Sequence, residues 1–189
     1  MKIIEKIIDH TNWLNDKKGS QLDIENEEIS IFNFENIDLN SGIFTNVNFF
    51  EIDIININFS GSYFFNCVFK NIIFININLR KSEFHDCHFV NCSIEKSNIT
   101  KAEFFNLKAN NVSFLEVDLG WTFIDSSSFV ESTFDEVVLE GTIFSDTKTV
   151  NTKFKNLIFS KKYPLKYSEN KNITFIEDEK KLIRKTTII

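Results

Sequence analysis

The chain has 189 residues, 42% of them hydrophobic, and a formal net charge of -6. This is enough apolar material for one domain with a substantial interior and too much for a disordered polymer. No apolar run is long enough to cross a bilayer, and the acidic balance argues against a nucleic-acid-binding surface.

The N-terminal stretch MKIIEKIIDH interrupts its isoleucines with Glu5, Lys6 and Asp9, so it is not read as a signal peptide. Residues 2–15 are expected to form an amphipathic helix, with Ile3, Ile4, Ile7, Ile8 and, at its end, Leu14 on one side. Residues 1–21 are read as an N-terminal helical cap. A membrane-surface helix is the competing reading, disfavoured by the acidic residues and the short length.

From Ile24 onward a bulky apolar residue recurs at every fifth position: Ile29, Phe34, Leu39, Phe44, Phe49, Ile54 and so on to Phe159. Of these 28 positions, 26 hold Ile, Leu or Phe; the exceptions are Ala109 and Thr149, where a loosening or a bulge is expected. A helix cannot use this period, because five steps turn a side chain by roughly 140°. A flat strand cannot either, because an odd step alternates faces. The 22 phenylalanines therefore point to one buried slot used many times. Two residues before each centre stands a second, mostly small slot, filled by residues such as Val47, Ser62, Cys67, Ser82, Cys87, Cys92, Ala102 and Thr142. Residues 22–160 hold 20 Asp or Glu and 9 Lys or Arg, and only Glu27 falls in either slot. Burying unpaired charge is costly, so both slots are assigned inward.

A 20-residue period lies over the short one. DLNSGIF (38–44), NFSGSYF (58–64), NLRKSEF (78–84), NITKAEF (98–104) and VLEGTIF (138–144) share one phase. Four five-residue sides then close one coil, and about seven coils at the ~4.8 Å strand spacing make a rod of roughly 34 Å. Gly61, Gly120 and Gly141 mark a corner needing unusual dihedrals, and Asn26, Asn46, Asn66 and Asn106 share a phase in which stacked amides could bond the turn backbone.

HDCHFVNC (85–92) has the composition of a metal site, yet this register turns Cys87 and Cys92 inward and His85, Asp86 and His88 outward, so no convergent ligand set is expected. Cys67 and Cys87 lie one coil apart, within disulfide geometry; with no export signal, a cytoplasmic location and free thiols are expected. No phosphate loop, nucleophile motif or loop interrupting the register suggests an enzyme, and no cofactor is expected. Beyond Phe159 the tail 161–189, with Pro164, is expected to hold a strand at 172–176 and a short helix at 177–185.

CHFVN (87–91), SNITK (97–101) and AEFFN (102–106) resemble the motif of the pentapeptide repeat family: a small residue, a polar one, Leu or Phe, then two variable residues. The resemblance covers about 22–160 and implies an all-β, right-handed quadrilateral β-helix. The small slot departs from the motif in often holding Ile, Val or Cys. Several members of the quinolone-resistance type are DNA mimics that engage type II topoisomerases, and the resemblance implies DNA gyrase or topoisomerase IV as a candidate partner. Many of those members carry register-breaking loops, which this chain lacks. Members often dimerise through a C-terminal element, which makes Leu182, Ile183, Ile188 and Ile189 candidate homodimer contacts; an intrachain cap is the alternative.

The charge map points the same way. Residues 19–69 and 109–147 contain no Lys or Arg, and each holds eight acids. The expected acidic interaction surface comprises Asp38, Glu51, Asp53, Glu116, Asp118, Asp125, Glu131, Asp135, Glu136, Glu140 and Asp146, with Trp121 as a candidate aromatic anchor. The leading expectation is a non-enzymatic solenoid presenting an acidic, DNA-sized rod to a basic protein surface, with no direct nucleic acid or membrane binding. The alternative is a general interaction scaffold of unknown partner.

Overall fold

The computed structural model describes residues 2–30, 34–158 and 162, together with the backbone of 166–167 and 173–175. A helix, Ile3–Leu14, precedes a parallel β-solenoid whose strands repeat every 20 residues. Face one begins with Asp23–Glu25 and continues through Ile43–Thr45, Tyr63–Phe65, Glu83–His85, Glu103–Phe105, Phe123–Asp125 and Ile143–Ser145. Six consecutive pairings carry it from Ile24 to Phe144, one per turn of the solenoid. Face two starts at Glu28–Ile29 and face three at Phe34–Glu35. Face four is a column of single bridges from Asp38 through Asn58, Asn78, Asn98, Asp118 and Val138 to Ile158.

From Ile24 to Phe154 the five-residue centres point inward; Phe159 lies outside the described residues. Phe44, Phe64 and Phe84 are fully buried, and Phe104 follows them in a column of parallel rings with centroids 4.8, 4.5 and 4.9 Å apart. These separations match the strand spacing, so one ring per coil fills the lumen without offset. Each large centre removed from water contributes about 1.5–3 kcal/mol before chain entropy is subtracted. The small slot is inward as well, and its hydroxyl and thiol groups have a definite role. Ser62 Oγ donates to Leu39 O at 2.9 Å, Thr122 Oγ1 to Ile99 O at 2.8 Å and Cys87 Sγ to Phe64 O at 3.4 Å. Each therefore bonds a carbonyl of the preceding coil in an otherwise apolar lumen. Glu27, the one charged residue in an inward register, is exposed in the first coil.

Corners are made two residues after the centres by left-handed backbone. Asn26, Asn46, Asn66 and Asn106 have φ of 56°, 55°, 51° and 54°, and Gly61 and Gly141 have 64° and 67°. Asparagine tolerates this region better than other side-chain-bearing residues, which accounts for its abundance here. Gly120 departs from expectation: it lies one residue before the corner, and Trp121 carries the positive φ of 61°. The asparagine column also differs in its bonding. Asn46 Nδ2 donates to Asn26 Oδ1 at 2.9 Å and Asn66 Nδ2 to Asn46 Oδ1 at 2.8 Å, while the turn N–H groups bond backbone carbonyls, as Asn26 does with Thr45 at 2.9 Å. No bulge forms at Ala109 or Thr149. The column Phe89, Ala109, Phe129, Thr149 pairs in unbroken register, because backbone ladders rather than side-chain volume hold the coils in step.

The helix packs over the first coil with a narrower stripe than expected. Ile7 joins the core and Ile3 packs against it, but Ile4 and Ile8 are 56% and 58% exposed. Positions 3, 7, 10 and 14 form the facing line, and 4 and 8 turn away from it. His10 is buried on that line, and its Nδ1 accepts the Leu22 N–H at 2.9 Å. Lys6 Nζ donates to Asp23 O at 2.6 Å. After Ile158 the backbone forms Lys166–Tyr167 on face one and Ile173–Phe175 on face three, the latter within the strand expected at 172–176. The helix expected at 177–185, Pro164, and Leu182, Ile183, Ile188 and Ile189 lie outside the described residues.

Candidate interaction surface

Every one of the eleven candidate acids is outward, and none is buried. They do not form a single patch. Glu51, Asp53, Glu116, Glu131, Asp135 and Glu136 lie on face three or its two bordering corners; Asp38, Asp118 and Glu140 lie on face four; Asp125 lies on face one and Asp146 at the corner after it. Glu116 and Glu136 share one corner on consecutive coils, which brings like charges to about the strand spacing. Lys155 Nζ reaches Asp135 Oδ2 only at 3.9 Å.

Two of the acids also have local structural work. Asp38 Oδ1 accepts the Asn40 N–H at 3.0 Å, and Asp118 Oδ1 accepts the Gly120 N–H at 2.8 Å. Between them Asn58, Asn78 and Asn98 make the same turn with Ser60, Arg80 and Thr100. The spacing of D/N-x-S/T/N/G/R along face four carried that signal, which charge counting passed over. Asp125 is held charged in another way: hydroxyls of Ser145 and Ser126 bond its carboxylate and lower its pKa below the ordinary value. Trp121 is 48% exposed, and its ring lies over the Gly141 backbone, where an added Cβ would meet Trp121 Cε3 at 2.8 Å. Packing and exposure are thus both present at this residue.

The segment 85–92 divides as the register requires. Cys87 and Cys92 are buried free thiols. The hydrogen bond with Cys67, then burial, pushes the Cys87 thiol far above its usual range, and burial raises that of Cys92. His85 stands outward, its Nε2 3.2 Å from Glu83 Oε2. Among the described residues no group of His, Cys, Asp or Glu could hold a metal ion, and no helix is long and apolar enough to cross a membrane. A shallow groove of about 270 Å³ runs along the border of faces two and three, past Asn91, Ser93, Asn111 and Glu131.

Sequence reasoning missed an aromatic column on the outside of face one. Tyr63 and Phe65 lie side by side with centroids 6.2 Å apart, and Phe65, His85 and Phe105 stack on successive coils at 5.0 and 4.9 Å. Phe123 meets Phe105 edge-on at 5.9 Å. The signal was available: positions 65, 85 and 105 fall one after the other in the 20-residue phase, off the five-residue register of the lumen.

The pentapeptide repeats family model matches in 8 copies, over residues 43–80 and 57–95. No curated protein matches the chain. Among solved structures, full-length QnrB1, a plasmid-mediated fluoroquinolone resistance protein, is 13% identical, covering 78% of this chain and 92% of its own, at a TM-score of 0.43. HetL, a pentapeptide repeat protein involved in heterocyst differentiation regulation in the cyanobacterium Nostoc sp. strain PCC 7120, is 11% identical, covering 77% and 81%, at 0.29. Rfr23 from the cyanobacterium Cyanothece 51142 is 12% identical, covering 83% and 99%, at 0.29. The family match thus lies at the centre of the rod, where the chain carries pentapeptide repeats, and the same five-residue register continues unbroken on both sides of it.

Proposed function

We propose that the rod is a non-enzymatic protein-binding solenoid whose acidic walls engage a basic protein surface in the place of duplex DNA, with a type II topoisomerase as the partner class. The observation that carries this reading is the placement of charge. Between residues 22 and 160 the 20 acids exceed the 9 bases, and the acids project from a rod about as long as one turn of duplex. Face three and its corners, with Glu51, Asp53, Glu116, Glu131, Asp135 and Glu136, carry the most acids, with Lys96, Lys153 and Lys155 among them. A surface that ordinarily neutralises phosphates meets carboxylates there instead, and mutual attraction speeds encounter. The lumen is filled with side chains, and the grooves are shallow, which favours binding over catalysis.

The test is a supercoiling assay with purified gyrase, with and without a fluoroquinolone. The expected outcome is inhibition of supercoiling or relief of the drug effect at micromolar protein, weakened when Glu116, Glu131 and Glu136 are changed to Gln. No change in either assay removes topoisomerase from the reading.

A further inference from the structure

We propose that face one is a second docking wall, selective for arginine side chains of a protein partner, and distinct from the carboxylate wall of face three. Its outer surface combines two features that, among the described residues, no other face joins. The first is the stack of Phe65, His85 and Phe105, flanked by Tyr63 and Phe123, in which Tyr63 and Phe65 are 38% and 37% exposed. The second is charge of one sign. From Asp23 to Ser145 the strands of this face hold Asp23, Glu25, Glu83, Glu103 and Asp125 and no Lys or Arg, and the helix brings Lys6 to its first strand only, at Asp23 O. Lys81 and Lys101 stand at the corner before it and set its edge, and Lys70, Lys108 and Lys148 lie on face two.

Exposed rings beside carboxylates fit a guanidinium better than an ammonium. Arginine is planar, weakly hydrated and able to stack on a ring face while its fork bonds a carboxylate at two points. Lysine offers a compact, strongly hydrated charge and gains less from the rings. Glu103 and Glu83 lie on successive coils beside Phe105 and His85, so ring and carboxylate recur at the strand spacing. Asp125, held charged by the hydroxyls of Ser126 and Ser145, extends the same strip. Face three, with carboxylates but no such ring stack, has no reason to tell the two cations apart. The inference does not depend on the topoisomerase reading, since it concerns another wall and another chemistry.

Calorimetric titration of the full chain with a nona-arginine and a nona-lysine peptide of equal charge tests it. The expected result is tighter binding of the arginine peptide by about tenfold, reduced to parity in a Phe65→Leu/Phe105→Leu variant, which keeps apolar bulk and removes the ring faces. A Glu116→Gln/Glu136→Gln variant should weaken both peptides equally and leave their ratio intact. Thermal melts establish that each variant is folded, and a Glu83→Gln/Glu103→Gln variant, expected to lower the ratio as well, supplies an independent reading. Equal affinity for the two peptides, or a preference that survives loss of both rings, overturns the proposal. A gyrase assay without effect leaves it standing, and the peptide result leaves the gyrase reading to its own assay.

Discussion

Thr149 shows how strictly this lumen enforces its register. It occupies a centre that elsewhere holds Ile, Leu or Phe, and it is buried with its Oγ1 unpartnered among the described residues. Its neighbours in the small slots differ: Thr142 Oγ1 donates to Leu119 O at 2.7 Å and Thr152 Oγ1 to Phe129 O at 3.0 Å. The difference is positional. Small-slot hydroxyls sit beside a backbone carbonyl, of the preceding coil as here or of their own as at Ser82 and Ser97, whereas a centre points at rings and methyl groups. A hydroxyl sealed there without a partner is destabilising, and replacing it with a methyl of the same shape removes that penalty. Thr149→Val is therefore expected to stabilise the chain by about 1 kcal/mol. The midpoint of urea unfolding should rise with the denaturant slope unchanged; an unchanged or lower midpoint would mean that water or a neighbouring group already satisfies the hydroxyl.

The N-terminal helix, as an element, is joined to the first coil by one buried ring as well as by Ile7 and Lys6. His10 Nδ1 accepts the Leu22 N–H, so its proton sits on Nε2, which has no hydrogen-bond partner among the described residues. Burial lowers the His10 pKa, partly offset by the Asn40 backbone and the Asp38 charge. A folded pKa below the unfolded value of about 6.5 means the unfolded chain takes up the proton first. The contribution to stability is then complete above that value and is lost as pH falls through it toward the folded pKa. His10→Asn keeps an acceptor for Leu22 and removes the titration. Between pH 7.5 and 5, before the carboxylates titrate, the wild-type chain should lose stability and the variant should lose markedly less; parallel profiles would place the pH dependence elsewhere. This element also marks what was legible beforehand. Strict periodicity over 28 centres makes the rod readable, because a lumen that admits two residues in five excludes charge from both. The helix has no such repetition. Two adjacent isoleucine pairs fit a broad stripe as well as a narrow one, and only packing over the first coil selects Ile3, Ile7 and His10 over Ile4 and Ile8.

Over the whole molecule, the acids were legible as outward but not as belonging to particular walls. Assigning walls requires the 20-residue phase at every position, and phenylalanines outside the lumen, such as Phe65 and Phe105, were hidden among those inside it. The resulting distribution has a cost to folding as well as a use in binding. Glu116 and Glu136 are stacked on consecutive coils, and the pair nearest to compensation on that wall, Lys155 and Asp135, is separated by 3.9 Å. Such exposed pairs contribute little, so repulsion among the rod's carboxylates is the dominant surface term. Mobile ions screen it once the Debye length falls to about 10 Å. The melting temperature is thus expected to climb by several degrees as sodium chloride is raised from about 10 mM to about 200 mM. Glu116→Gln/Glu136→Gln should start higher and climb less, which ties the effect to these carboxylates and not to general salting-out. The same screening acts with the opposite sign on a basic partner, whose affinity should fall across that range. A melting temperature that drops with salt would show that attraction, not repulsion, governs these walls, and a rod of that kind would have little unspent charge with which to imitate DNA.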